Sequence, residues 1–203
     1  MSKWIGWHFL PEDKRLRWGT KEKIHKGKVS RITGDLSLCH HGLHASKRAL
    51  DALSYAPGPI VCKVELRGEI LEGDDKACAT ERKVLAIADA TKTLHEFACW
   101  CAEGALKAER KAGREPDKRS WNAIKVKRAW LKGKAFNSEL SAAWFAAGAA
   151  AGAAAWAAAG AAAGAAAWAA AWAAGAAAGA AARDAQSRKL TKMLNDLLRK
   201  GKP

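Results

Sequence analysis

The stretch Ile60-Val61-Cys62-Lys63-Val64-Glu65-Leu66 decides the fold of the first part of the chain. Apolar and polar residues alternate toward its end, which is the period of a β-strand with one buried face. Pro57-Gly58-Pro59 comes just before the stretch and Gly68 just after it, and both are typical of turns. The stretch is therefore the most clearly defined strand of the sequence.

The residues upstream predict another strand and a hairpin. Trp4–Leu10 is rich in aromatic and branched residues, which favours a strand. Lys28–Ile32 and Leu36–Cys39 flank Gly34-Asp35, a pattern that predicts a hairpin.

A helix is expected between this hairpin and the Ile60 strand. Ser46 is its predicted N-cap, and the helix runs over 47–55. Residues 84–88 fit a strand or the start of a helix, because their periodicity does not decide. Residues 1–90 therefore predict an α+β head domain that is rich in β-structure.

Residues 91–135 predict a basic helical segment. Apolar residues recur at helical spacing from Leu94, 113–118 forms a break, and a second helix is expected from about Ser120 to Lys132. The whole chain has 35 Lys+Arg and 20 Asp+Glu, a net charge of +15. Eleven of those basic residues and three acidic ones lie between Lys107 and Lys134, a net +8.

This basic segment predicts contact with a polyanion. Clustered cations bind phosphates, and tryptophan side chains can stack on exposed bases. The residues predicted to contact nucleic acid are Lys107, Arg110, Lys111, Arg114, Lys118, Arg119, Trp121, Lys125, Lys127, Arg128, Lys132 and Lys134. An acidic protein partner fits the same charge, and the bland alternative is a solvated helix face with Trp121 and Trp130 buried.

An alanine-rich repeat occupies residues 136–182, and 183–203 predicts a basic amphipathic helix. Of the 41 residues in 142–182, 30 are Ala, and over most of this stretch a Trp or Gly occupies every fourth position. Ala favours helix, so the repeat predicts a long helical rod or a helical hairpin. Three roles stay open: self-association into a homo-oligomer, a membrane segment, or a tether whose length alone matters. The uncharged length exceeds the roughly 20 residues of a span, but Leu, Ile and Val are absent from 142–182.

Cysteine usage and the first residues predict a cytoplasmic protein. The five cysteines lack the spacing of a disulfide framework, which favours a reducing compartment. Lys3, Trp4 and His8 do not form the apolar segment of a signal peptide.

The densest polar cluster is Cys39-His40-His41-Gly42-Leu43-His44. Cys and His at close spacing can bind zinc, but a structural site needs a second ligand pair, and Cys99-x-Cys101 is the only other close one. We therefore expect no metal here: Cys39 in the core, His40 and His41 in solvent, and His44 as a hydrogen-bonded strand residue.

Residues 7–89 resemble an uncharacterised domain family that is common in bacteriophage and prophage proteins. The matching residues are Trp7-His8-Phe9, Leu38-Cys39, Gly42-Leu43-His44-Ala45-Ser46, Asp51-Ala52-Leu53, Tyr55-Ala56-Pro57-Gly58, Cys62, Val64-Glu65, Gly68-Glu69-Ile70, Gly73-Asp74-Asp75-Lys76 and Glu81-Arg82-Lys83. Many relatives also carry an Ala tail with a four-residue repeat, which here ends at Asp184-Ala185-Gln186. The resemblance implies a phage origin and the cytoplasm of a bacterial host, and it supplies no activity.

A shorter stretch is similar to the middle of ADP-ribosyltransferases. There a strand that ends in Ser leads into a helix and then into a hydrophobic strand, as Gly42–Ser46, 47–55 and Ile60–Leu66 do here. The resemblance implies catalytic roles for His8, His44 and Glu81 and NAD as the cofactor.

The leading interpretation is a non-enzymatic phage accessory protein without a cofactor. Its basic segments bind nucleic acid or an acidic host protein, and its tail self-associates. An ADP-ribosyltransferase-like enzyme that modifies a host component is the first alternative, and a membrane-associated protein is the second.

Overall fold

The computed structural model describes residues 3–16, 21–161 and 165–200, with the backbone alone described over 150–161 and 165–178. In chain order the elements are β1 (Trp4–Leu10), β2 (Val29–Arg31), β3 (Leu43–Ala45), α1 (Ala49–Ser54), β4 (Ile60–Glu72), β5 (Ala77–Asp89), α2 (Thr91–Lys111), α3 (Lys118–Trp130), α4 (Asn137–Ala161) and α5 (Ala165–Lys200). A five-stranded antiparallel sheet is thus followed by long helices, and the predicted α+β class is confirmed. Two compact units divide the chain: a head unit of residues 1–94 and 186–203, and a helical unit of residues 95–185.

The strands of the head unit form a closed hydrogen-bonded ring. β4 pairs with β1 along one edge and with β5 along the other, and β5 pairs in turn with β3 and β2. Ser46, directly after β3, exchanges two backbone hydrogen bonds with Trp7 of β1, at 2.8 and 3.0 Å. The path from β1 through β4, β5 and β3 therefore returns to β1, which pairs backbone groups that an open edge would expose.

The alternation of β4 places one set of its side chains in the core of the head unit. Ile60, Cys62, Val64 and Leu66 point to one face and are buried. Their partners in the same cluster are Leu10, Ile24, Ala45, Ala77, Ala79 and Val84. Val61 is also fully buried, so this part of β4 is covered on both faces.

The last turns of α5 complete the head unit. Leu190, Leu194 and Leu198 recur every four residues along one helix face and are buried. Arg48 Nε donates a hydrogen bond to Ser187 Oγ at 3.3 Å, next to the start of α1. The apolar stripe expected in the C-terminal helix is therefore a buried part of the head.

Two local predictions in the head are wrong. Val29–Arg31 pairs with β5 rather than with Leu36–Cys39, and Leu38–His40 form a turn in which Ser37 and His41 pair. Ser46 does not cap α1, because its backbone is used by Trp7; the N-cap is Arg48, without a side-chain capping bond.

β4 and β5 also run further than the sequence predicts. Gly68 lies inside β4 with a φ of +71°, where the pairing with β5 shifts register between Arg67 and Ile70. This is a β-bulge, which glycine accommodates, and it lets the strand continue instead of ending. The ambiguous residues 84–88 belong to β5.

The helical unit, residues 95–185, contains most of α2, all of α3 and α4, and the first part of α5. The predicted break at 113–118 is present, and Asp117 caps α3 by accepting a hydrogen bond from the Arg119 N–H at 2.8 Å. α3 begins and ends two residues earlier than expected. Whether the repeat is a rod or a hairpin lies outside the described residues. In the part of the chain that is described, no helix has the length and apolar character needed to cross a bilayer.

Candidate nucleic-acid interface

The three acidic residues between Lys107 and Lys134 are all paired with arginines. Glu109 pairs with Arg114 at 2.6 Å and Glu115 with Arg110 at 2.6 Å. Asp117 pairs with Arg119 at 2.7 Å. These three carboxylates are therefore occupied, and they are the only acidic residues between Lys107 and Lys134.

One further carboxylate, Glu103 of α2, takes two more cations. It pairs with Lys107 at 2.7 Å and also with Arg128 of α3. The hydrogen bonds from these two residues lower the pKa of Glu103 to about 2, so the carboxylate stays ionised. Glu103 thereby joins α2 to α3 and fixes the guanidinium of Arg128.

Of the lysines from Lys107 to Lys134, six pair with no carboxylate among the described residues: Lys111, Lys118, Lys125, Lys127, Lys132 and Lys134. Arginine thus holds the local ion pairs, and lysine supplies the charge that is left over. Five of the six lysines are exposed, and Lys127 is partly buried.

Three of these lysines gather around one groove. We call it the basic groove; it has a volume of about 430 Å³, and Trp121, Lys125, Arg128, Lys132 and Lys134 supply its aromatic and cationic side chains. Trp121, Lys125, Arg128 and Lys132 follow one another at intervals of four, three and four residues, so they lie on one face of α3 and its C-terminal turn. Ile124, Ala129 and Glu103 complete the lining.

Trp121 forms the aromatic side of the basic groove and is partly buried. The guanidinium of Arg110 lies over its ring, 4.8 Å from the centroid. Its indole Nε1 is buried and has no hydrogen-bond partner. Replacement by Phe therefore removes no hydrogen bond and keeps a ring in the groove.

Trp130 is committed to packing and does not line the groove. Its Nε1 donates to Asn137 Oδ1 at 2.7 Å, and its ring meets His95 edge-on at 5.7 Å. Lys127 Nζ lies over the same ring at 4.0 Å. Lys127 and His95 line a different, mostly apolar cavity with Trp144, so Lys127 is not one of the lysines of the basic groove.

The residues of the enzyme alternative lie in the head unit, and the structure brings two of the three together. Burial lowers the pKa of His8 well below its usual range, and the charge of Arg82 and the neighbouring His44 add to the effect. Burial also lowers the pKa of His44, although a hydrogen bond with the Gly42 backbone acts in the opposite direction. His44 Nε2 accepts a hydrogen bond from the Cys39 N–H at 3.1 Å, so its ring closes the loop before β3.

Glu81 is held in ion pairs with two arginines from neighbouring strands. It accepts from Arg31 Nε at 2.8 Å and from Arg67 Nη1 at 3.5 Å. Its neighbour Arg82 is buried toward His44, and adjacent residues of a strand point to opposite faces. The catalytic roles of His8, His44 and Glu81 stay predictions.

The Cys/His cluster differs in one respect from what the sequence predicts. His40 and His41 are exposed and His44 is hydrogen-bonded, as expected. Cys39 is not in the core; it is exposed, with a φ of +70°. In the described ranges, no group of three or more His, Cys, Asp or Glu side chains is arranged to hold a metal ion.

Comparison with protein families identifies part of the head. A domain of unknown function, DUF7666, is found at residues 18–96. This match covers β2 to β5 and the start of α2, and it excludes β1 and the basic groove. No match was found among curated proteins. None was found among solved structures either.

Sequence reasoning listed the cations of the groove but missed which of them are already neutralised. Glu103 lies outside the segment whose charge was counted, yet it holds Arg128 and Lys107. The i, i+4, i+7 spacing of Trp121, Lys125 and Arg128 was a visible signal for one shared face. Arg82 belongs to the matching stretch Glu81-Arg82-Lys83, but the resemblance gives it no role, and nothing local shows that its side chain is buried.

Proposed function

We propose that this protein is a non-enzymatic accessory protein that binds single-stranded nucleic acid through the basic groove. The observation that supports the proposal is the grouping of Lys125, Lys132 and Lys134, none paired with a described carboxylate, around the ring of Trp121. Clustered ammonium groups neutralise backbone phosphates, and an indole ring offers a stacking surface to a base. An acidic host protein is the other outcome that the same charge allows.

The proposal includes self-association through the alanine-rich tail. Trp144 and Phe145 at the start of the repeat are each 69 % exposed, which is unusual for large apolar side chains. Their rings contact each other edge-on at 5.2 Å and form an apolar patch on α4. A second copy of the chain is the partner proposed for this surface.

A phage origin is also part of the proposal. It rests on the resemblance of residues 7–89 to a domain family common in phage and prophage proteins, over residues that overlap the DUF7666 match. A protein that binds nucleic acid and acts in the cytoplasm of a bacterial host suits such an origin.

The test is the salt dependence of binding to a fluorescein-labelled 20-nucleotide single-stranded DNA. Fluorescence anisotropy at several salt concentrations gives the slope of log K against log [salt], which is about −0.7 for each phosphate neutralised on a single strand. The triple variant Lys125→Gln/Lys132→Gln/Lys134→Gln removes three such contacts, so the slope becomes shallower by about 2. Trp121→Ala weakens binding roughly tenfold or more, whereas Trp121→Phe retains most of it.

The matched control is Lys111→Gln/Lys118→Gln, which removes charge from exposed lysines of the same helical unit that do not line the groove. We expect it to change the slope much less than the triple variant does. Equal effects of the two variants would mean that net charge and not the groove controls binding. Absence of binding to DNA and RNA at low salt would reject nucleic acid in favour of an acidic protein.

A further inference from the structure

The head unit contains a polar cleft of its own. Its residues are remote in sequence from those of the basic groove. The cleft has a volume of about 730 Å³, within the range of small-molecule sites. Its walls come from β2 with the residues on either side, from the loop before β3, and from Arg15, Leu16, Lys21 and Glu22. We call it the head cleft; most of its lining lies within the DUF7666 match.

The head cleft carries an excess of positive charge. Arg15, Lys21, Lys28 and Arg31 line it; Lys28 pairs with Glu22, and Arg31 pairs with Glu81 of β5, which leaves Arg15 and Lys21 without a carboxylate partner among the described residues. The Arg15 guanidinium donates to the Lys21 carbonyl at 3.0 Å.

A buried cation adds to this charge from behind the wall. Ser30, which lines the cleft, pairs directly with Arg82 of β5, and paired residues of antiparallel strands project to the same face. Arg82 is 3 % exposed, and its Nη1 donates to the His44 carbonyl at 2.7 Å. No carboxylate in the described part of the chain pairs with it, so the interior of the head favours an anion nearby.

Two histidines face the cleft with their ring orientations fixed. His40 Nδ1 donates to the Leu38 carbonyl at 3.1 Å, and His41 Nε2 donates to the Thr33 carbonyl at 2.9 Å. A carbonyl only accepts, so the proton of each neutral ring lies on the bonded nitrogen.

The cleft also offers an apolar wall. Leu16, Val29, Ile32 and Leu43 contribute to its lining beside the cations. A ligand that matches both parts has a phosphate group and a partly apolar body. We propose that the head cleft is a binding site for a nucleoside phosphate, with Lys21 and Arg31 at the phosphates and the apolar wall against the base.

The experiment is isothermal titration calorimetry of the full chain with ATP, adenosine and tripolyphosphate at physiological salt. We expect ATP to bind. Adenosine and tripolyphosphate should each bind at least roughly tenfold more weakly than ATP, because each contacts only one part of the cleft. Tripolyphosphate that binds as tightly as ATP would overturn the nucleoside assignment, and no binding of ATP would overturn the site.

Two pairs of variants locate the site. Lys21→Asn removes one charge and tolerates the φ of +49° at this position, and it is matched by Lys26→Asn, which lies outside the lining. Arg31→Gln is matched by Glu81→Gln, which removes the carboxylate partner of Arg31 and leaves the cation in place. Lys21→Asn and Arg31→Gln weaken ATP binding by roughly tenfold, and their matched controls do not.

The proposal is independent of the basic groove, and the same variants separate the two. The triple variant Lys125→Gln/Lys132→Gln/Lys134→Gln keeps ATP binding if the head cleft is the site. Loss of ATP binding in that variant, or equal loss in Lys21→Asn and Lys26→Asn, would overturn the proposal. Unchanged thermal melting of each variant shows that it is folded.

Discussion

At the scale of single residues, the head unit keeps two neutral histidines beside one buried cation. Burial lowers the pKa of Arg82 to about 10, which still leaves it charged near neutral pH. Burial together with that charge lowers the pKa of both His8 and His44. Cys62 lies in the same core, and burial raises the pKa of its thiol to about 12, which makes it a poor nucleophile.

The first prediction concerns acid. A histidine whose pKa is depressed in the folded state binds its proton more readily when unfolded, so its contribution to stability is present above about pH 6.5. That contribution is lost as the pH falls from 6.5 toward the folded pKa, by up to about 1.4 kcal/mol per pH unit for each histidine. Urea unfolding of the head, followed through the amide signals of β4, should show this loss. His8→Asn makes the decline shallower.

Comparison at pH 8 serves as the control for this prediction. Both histidines are neutral there, so His8→Asn differs from the parent only by the packing of the new side chain. An identical decline below pH 6.5 in parent and variant would show that His8 does not carry the effect.

The sequence shows which charged residues are present better than it shows which of them form ion pairs. The basic residues at 107–134 can be read from the sequence. The structure shows in addition that Arg110, Arg114 and Arg119 form ion pairs with carboxylates five or two residues away. Loop geometry decides these pairs, and helical spacing rules do not cover them. The hydrogen-bonded role of His44 was predictable, whereas the exposure of Cys39 depends on a positive φ that no pattern reveals.

At the scale of elements, the head depends on close contact between β5 and the loop that leads into β3. A Cβ built on Gly42 would lie 2.5 Å from Cys78 Cβ and 2.8 Å from its Sγ. The backbone at Gly42 also has a φ of +146°, which side chains other than that of glycine rarely allow. Gly27 shares the positive φ, at +86°, but no heavy atom lies within 4 Å of its built Cβ.

This contrast predicts different costs for the same substitution. Gly27→Ala introduces backbone strain without a steric clash, so we expect it to lower the free energy of unfolding by about 1–2 kcal/mol. Gly42→Ala adds a steric clash, so we expect roughly 2–5 kcal/mol. Chemical denaturation of both variants measures the difference. Equal losses would mean that the loop moves away from Cys78 without penalty.

The elements themselves were only partly predictable. The alternation in Ile60–Leu66 correctly identified the strand, but nothing local shows that a bulge at Gly68 lets β4 continue to Glu72. The expected hairpin failed because β2 finds its partner in β5, about fifty residues later in the chain. Local turn residues therefore reveal neither that a strand continues through a bulge nor which strand it pairs with.

At the scale of the whole molecule, the head unit is discontinuous in sequence. Residues 186–200 join it after the chain has passed through the helical unit. Leu190 and Leu194 are completely buried there. The hydrophobic pattern of this helix was visible in the sequence, but its partner was not, since an amphipathic face shows that something covers it and not what does.

The prediction at this scale concerns Leu194→Ala. Loss of a fully buried leucine creates a cavity, so the head unit is destabilised by about 2–5 kcal/mol although residue 194 lies about a hundred residues beyond β5. Lys192→Ala changes an exposed position of the same helix and alters stability by less than about 0.5 kcal/mol. Unfolding of β4 amides reports both. A head that is indifferent to Leu194→Ala would show that α5 is not needed for its stability.

The return of α5 to the head means that every residue of the head unit lies outside the alanine tract at 142–182. Four-residue repeats can be gained or lost between residues 142 and 182 while the two stretches that form the head unit, 1–94 and 186–203, keep their sequence. A protease cut inside the tract would leave two fragments that separate in denaturant but copurify in native buffer.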